Sequence, residues 1–288
     1  MKKLLGLEQA GRGHWVGDGF PVRTMFSHHS HGSSISPFLL LDYAGPAEFP
    51  PSDKPRGVEE HPHKGFETVT IVYSGEVEHR DSSGGGGVIG PGDVQWMTAA
   101  SGLVHEEMHG RDFTKRGGVL EMVQLWVNLP AKDKKGKPHY QTITSGQIPE
   151  VPLPDEAGAV RVIAGEYAGR KGPASTFTPI NLWDVRLKIG RRAELLVPEG
   201  HNTILFVLSG QVEIDGGEPL GDAGLAIFDR QGDSIALAAS KESKLLLLSG
   251  EPIDEPVAAY GPFVMNTEAE IRQAFEEFQA GRMGQLVS

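Results

Sequence analysis

The segment TIVYSGEVEHRD (70–81) recurs as LFVLSGQVEIDG (205–216), the two sharing V-x-S-G-x-V-E. A strand, a tight glycine turn and a second strand thus occur twice, so the chain is expected to build one β-unit two times over. Downstream, PGDVQWM (91–97) lines up with DAGLAIF (222–228) once the glycine run Gly84 to Gly87 is treated as an insertion. Along the whole chain, 38 glycines and 20 prolines separate short runs rich in β-branched and aromatic residues, among them FLLLDY, DVQWMTA, LEMVQLWVNL and SIALAA. Short strands at close intervals indicate antiparallel sandwiches or barrels rather than alternating strand and helix. The predicted class is all-β.

The polar, proline-rich stretch from Pro130 to Glu156 divides two strand-rich halves, which predicts an N-terminal domain at 1–134 and a C-terminal domain at 135–288. One helix is predicted, in NTEAEIRQAFEEFQAGRMG near the end of the chain. Thr267 and Glu270 have capping-box spacing, Ile271, Ala274, Phe275 and Phe278 share a face, and Gly281 can terminate the helix. The formal net charge of −11 argues against a nucleic-acid surface, which needs clustered Lys and Arg to displace counterions. There is no cysteine, so disulfides, thiol catalysis and thiolate metal sites are excluded, and any metal must be held by His, Asp or Glu. No run reaches membrane-spanning length and the apolar start is too short for a secretion signal, so a cytoplasmic protein is expected.

HPHKGFETVTIVY sets His61 and His63 on either side of a proline at the mouth of an apolar strand. On extended backbone, residues i and i+2 point the same way, which puts these imidazoles about 7 Å apart at Cβ, close enough to share one ion. His105 and Glu107 in GLVHEEMHG repeat the spacing, and neighbouring strands would join the two pairs. Three imidazoles and a carboxylate suit divalent iron, manganese, nickel, copper or zinc better than magnesium or calcium. The aligned stretch of the second copy, VPEGHNTILF, offers Glu199 and His201 but no paired histidines, so no metal is expected there. His29 and His31 in FSHHSHGSS also have the i, i+2 spacing, yet lack a neighbouring carboxylate and read as a polar loop. Glu106 is expected to face away from the metal and His109 to sit in an exposed loop, the alternative for His109 being a further inner residue. The glycine run reads as a hairpin connection, because no Lys-Ser/Thr helix start follows it.

Taken together, HPHKGFETVTIVYSGEVEHRDSSG, GPGDVQWMTAASGLVHEEMHG and SPFLLLDY resemble the pirin family, a branch of the bicupin superfamily, over nearly the whole chain. The resemblance implies two tandem antiparallel cupin barrels of jelly-roll type, with the metal in the N-terminal one. It assigns the ligands to His61, His63, His105 and Glu107 and the metal to Fe(II), with Mn, Ni, Cu or Zn as alternatives. General cupins use a glutamate near position 67 as a ligand, whereas pirins take theirs from the second motif. Glu67 is therefore expected beside the ligands, orienting one of them, with direct coordination as the alternative.

Pirins of several sources resemble quercetinase, the flavonol 2,3-dioxygenase. The activity so implied is binding of the flavonol 3-hydroxyl as its anion, proton transfer to a carboxylate, attack of O2, ring cleavage and release of carbon monoxide. Glu107 is the candidate base and Glu67 its substitute, while Phe38, Phe66, Trp96 and Met97 are candidates for apolar walls or core packing. The resemblance also allows a non-catalytic iron-binding regulator that contacts a transcription factor or metabolic enzyme. A third role, sugar isomerisation or epimerisation on the same scaffold, would require turnover without oxygen uptake. A monomer is the default expectation.

Overall fold

The computed structural model describes residues 1–286. The chain forms two compact units that interleave in sequence. The first comprises residues 12–27, 38–145 and the segment from Ile253 onward; the second comprises Met1–Gly11, His28–Pro37 and Gly146–Pro252. In the first unit a seven-stranded sheet runs in the order His139–Ile143, Val94–Thr98, Phe66–Ser74, Gly118–Asn128, Phe38–Phe49, Phe20–Ser27, His14–Val16. A four-stranded sheet has the order Gly57–His63, Leu103–His109, Val77–Asp81, Gly86–Ile89. The second unit repeats this plan strand for strand. Its large sheet runs Leu4–Gln9, Gly224–Phe228, Asn202–Ser209, Ser243–Gly250, Ile180–Leu187, Gly158–Ala164, Glu150–Pro152. Its small sheet runs Arg192–Leu196, Ser234–Ala239, Gln211–Ile214, Pro219–Gly221.

Register confirms the internal repeat at the level of single residues. Thr70 lies opposite Gln95 in the first unit and Leu205 opposite Ala226 in the second, as the alignment of the two copies requires. The same rung continues across both sheets. In the first unit it reads Asp42, Gln124, Thr70, Gln95; in the second it reads Trp183, Leu247, Leu205, Ala226. The second set lies wholly within a large apolar core that includes Val185, Val212, Ile214 and Leu237. One copy of the module thus has a hydrocarbon interior, and the other carries polar side chains at the matching places.

The domain boundary at 134/135 is corrected by the interleaving. Strand Leu4–Gln9 pairs with Gly224–Phe228 of the second unit, and strand His139–Ile143 pairs with Val94–Thr98 of the first. Each added strand covers a sheet edge that would otherwise expose unpaired backbone groups. The terminal helix likewise belongs to the first unit. It spans Glu268–Gln279 and starts with the expected Thr267/Glu270 capping box. Ile271 and Ala274 are buried with Val104, Phe263 and Met265, Phe275 packs against that cluster, and Phe278 stays 38 % exposed. Lys64 Nζ pairs with Glu277 Oε2 at 2.8 Å, and the buried Lys134 Nζ donates to the carbonyls of Gly65 and Val264 and to Asn128 Oδ1. Side-chain bonds so far apart in sequence tie the C-terminal segment to the turn after His63. Among the described residues, no helix is long and apolar enough to cross a membrane.

Candidate metal centre

Gly57–His63 is the outer strand of the small sheet, where a proline lacking its N–H is tolerated, so Pro62 can separate two histidines that face one way. Gly65 then turns the chain at φ 88°, and a Cβ there would collide with Val264 O, so only glycine fits this turn. On the neighbouring strand His105 lies directly opposite His61, and Leu103 opposite His63. His61, His63 and His105 converge, each offering a ring nitrogen within 4.8 Å of the others. Their ring centroids are 4.2 to 4.9 Å apart.

The second nitrogen of each ring is engaged. His61 Nδ1 is 2.8 Å from Glu59 O, His63 Nδ1 is 3.4 Å from Pro262 O, and His105 Nδ1 is 2.6 Å from His79 Nε2. Nδ1–H donors to the two carbonyls leave Nε2 of His61 and His63 as lone pairs. His105 Nε2 is buried and has no hydrogen-bond partner, which costs about 1–3 kcal/mol unless something binds it. Burial, foremost, and the neighbouring imidazoles hold His63 and His105 well below the usual histidine range; burial also lowers His61. Three neutral imidazoles with inward lone pairs are the donor set a first-row divalent metal requires, and these residues fit such an ion.

Glu107, the fourth expected ligand, lies outside the three-histidine cluster. It is buried, and its Oε1 accepts from Thr70 Oγ1 at 3.3 Å and from Gln124 Nε2 at 3.4 Å. Both donors belong to the polar rung. Burial pushes the Glu107 carboxyl up to about 7, against the lowering effect of those bonds. Glu67 is also raised to about 7 by burial, and its Oε1 accepts from Thr98 Oγ1 at 2.7 Å. That bond goes to a threonine rather than to an imidazole. Glu67→Gln is accordingly expected to retain one ion per chain; loss of the ion on dialysis would place Glu67 among the ligands.

Other expectations fall out differently. His109 is buried, contrary to the exposed-loop expectation, because it ends strand Leu103–His109 pointing into a cluster with Phe20, Phe49 and Phe113, and its Nε2 bonds to Gly19 O. His28–His31 form a single helical turn rather than a loop, and His31 does have a carboxylate partner in Glu8 at 3.0 Å. Glu106 pairs with Arg80 on the outer side, as expected. Phe38, Trp96 and Met97 are at most 1 % exposed and pack as core; Phe66 lies 5.1 Å from the His63 ring and 4.4 Å from Trp126. Trp126, His79, Thr70 and Gln124 are site residues that motif reading did not single out. In the second copy His79, Thr70 and Gln124 correspond to Ile214, Leu205 and Leu247, so a polar residue in place of an apolar one was the signal for them.

The Pirin family model matches residues 19–127, and the Pirin C-terminal cupin domain model matches residues 182–284. A Pseudomonas aeruginosa protein named "Putative quercetin 2,3-dioxygenase" is 57 % identical over 282 residues, covering 98 % of each chain. A crystal structure of quercetin 2,3-dioxygenase from Acinetobacter baumannii superposes with a TM-score of 0.97 at 51 % identity, covering 100 % of both chains. A bacterial pirin from Escherichia coli in complex with nickel(II) shares the fold at a TM-score of 0.66, with 22 % identity over 86 % of this chain and 99 % of that one.

Proposed function

The chain belongs to the pirin family, and from that premise we propose that it is a metal-dependent dioxygenase that cleaves flavonols with O2, using divalent iron held by His61, His63 and His105. What supports the reading is the convergence of three imidazoles whose Nδ1 atoms are engaged and which each offer one ring nitrogen within 4.8 Å of the others. When bound, the ion supplies positive charge that stabilises a substrate oxyanion and a redox partner for O2.

The chain's own residues supply the rest. Glu107, raised to about 7, is a base matched to removing the acidic 3-hydroxyl proton of a flavonol near neutral pH. Thr70 and Gln124 hold its Oε1, so the carboxylate is fixed before substrate arrives. His61 is only partly buried and lies toward solvent, whereas His63 and His105 are buried, so approach is from the His61 side. Trp126, also partly buried, stands edge-on to His63 at 5.3 Å and offers an aromatic wall to a flat ring system.

Oxygen consumption and loss of quercetin absorbance, measured after separate reconstitution with iron, manganese, nickel and copper, test the reading. Uptake that depends on the ion, fastest with iron, is expected. Absence of uptake with every fully loaded form would overturn the enzymatic reading.

A further inference from the structure

We propose that His79 is the positioning residue that presents His105 to the metal, accepting a hydrogen bond from His105 Nδ1 and so setting the affinity of the centre; this rests on the metal-centre reading above. Of the three engaged Nδ1 atoms, two face backbone carbonyls, which can only accept and fix the tautomer unaided. The third faces His79 Nε2 across 2.6 Å, the shortest of the three contacts and the one supplied by a side chain. For His105 to offer its Nε2 lone pair, its proton must lie on Nδ1 and His79 must accept. A residue at position 79 without an acceptor would leave His105 able to place the proton on Nε2 and turn the wrong nitrogen inward.

Two further features suit His79 to this task. Its ring stacks flat on Tyr140, with centroids 5.3 Å apart and planes within 7°, which fixes the direction in which Nε2 points. Its counterpart in the second unit is Ile214, an ordinary member of the apolar core. The fold at this position therefore accepts hydrocarbon, and the imidazole occurs in the copy that also carries His105. His79 touches no other member of the cluster by hydrogen bond, so its effect on the ion passes through His105.

The test compares His79→Leu, which removes the acceptor at similar size, with His79→Gln, which keeps one. Affinity for Co(II) is read by competition with a chelator, alongside the visible spectrum of the Co(II) form. His79→Leu is expected to weaken binding by roughly 10–100-fold and shift the spectrum, with His79→Gln recovering most of both. A folded His79→Leu that binds as the parent does, or Leu and Gln variants that are equally weak, would overturn the assignment. Nitrogen-15 NMR of the Zn(II)-loaded parent gives a second reading that needs no variant. A slowly exchanging proton on His105 Nδ1 is expected, and an unprotonated Nδ1 would refute the proposal. Should His105→Ala still hold the ion, the metal-centre reading itself fails. If His105→Ala loses the ion and His79→Leu does not, only the role of His79 fails.

Discussion

His105→Ala is expected to weaken metal binding by well over the roughly 100-fold that loss of an outer hydrogen-bond partner can cost, while leaving the protein folded. His105 is fully buried, faces His61 across the ladder and supplies the one cluster nitrogen shown to be buried and unpartnered. Two imidazoles on one strand end remain after its removal, too few to enclose an ion without solvent. The structural cost is bounded. The variant opens a small cavity and strands His79 Nε2, at about 1–3 kcal/mol for the lost partner. For a chain of this size, that corresponds to a fall in melting temperature of about 2–12 °C. Metal content after dialysis and a melting curve check both halves of the expectation. Stoichiometric metal in His105→Ala would refute the ligand assignment.

Glu107→Gln is expected to retain the ion and lose quercetin-dependent oxygen uptake by about 10²–10⁴-fold, the usual worth of a positioned general base. The amide keeps the size of the carboxyl, and its oxygen can still accept from Thr70 and Gln124, so the polar rung stays assembled. What it cannot do is take a proton from the substrate. The pH profile of the parent carries the same signature. A base must be ionised to act, so the rate rises with pH through the Glu107 value of about 7, and the positive charge of a bound ion moves that acidic limb downward. Uptake measured from pH 5 to 9 should show the limb in the parent and lose it in Glu107→Gln. A variant that instead sheds its metal as His105→Ala does would make Glu107 a ligand in the loaded protein.

Much of this architecture was legible in the sequence because the same strand–turn–strand segment is written twice, its two strands entering the large and the small sheet of each unit. The repeat V-x-S-G-x-V-E predicted two copies of one β-unit, and the register Thr70–Gln95 and Leu205–Ala226 bears it out. The i, i+2 histidines were legible because strand geometry puts alternate residues on one face. The swap of chain ends was hidden, since strand Leu4–Gln9 and the terminal helix carry no mark of which sheet they will cover. The burial of His109 was hidden for a similar reason, as its aromatic neighbours Phe20, Phe49 and Phe113 come from three distant segments. His79 was within reach. Aligned with Ile214, it is a histidine at a core position, and a buried polar group in place of an apolar one needs a partner to justify it.

Iron-dependent cleavage is tested by titrating metal-free protein with Fe(II) under anaerobic conditions and then measuring oxygen uptake with quercetin at each occupancy. Uptake is expected to rise in proportion to bound iron and to reach its plateau at one ion per chain. Full occupancy without uptake, or uptake indifferent to occupancy, would contradict this expectation.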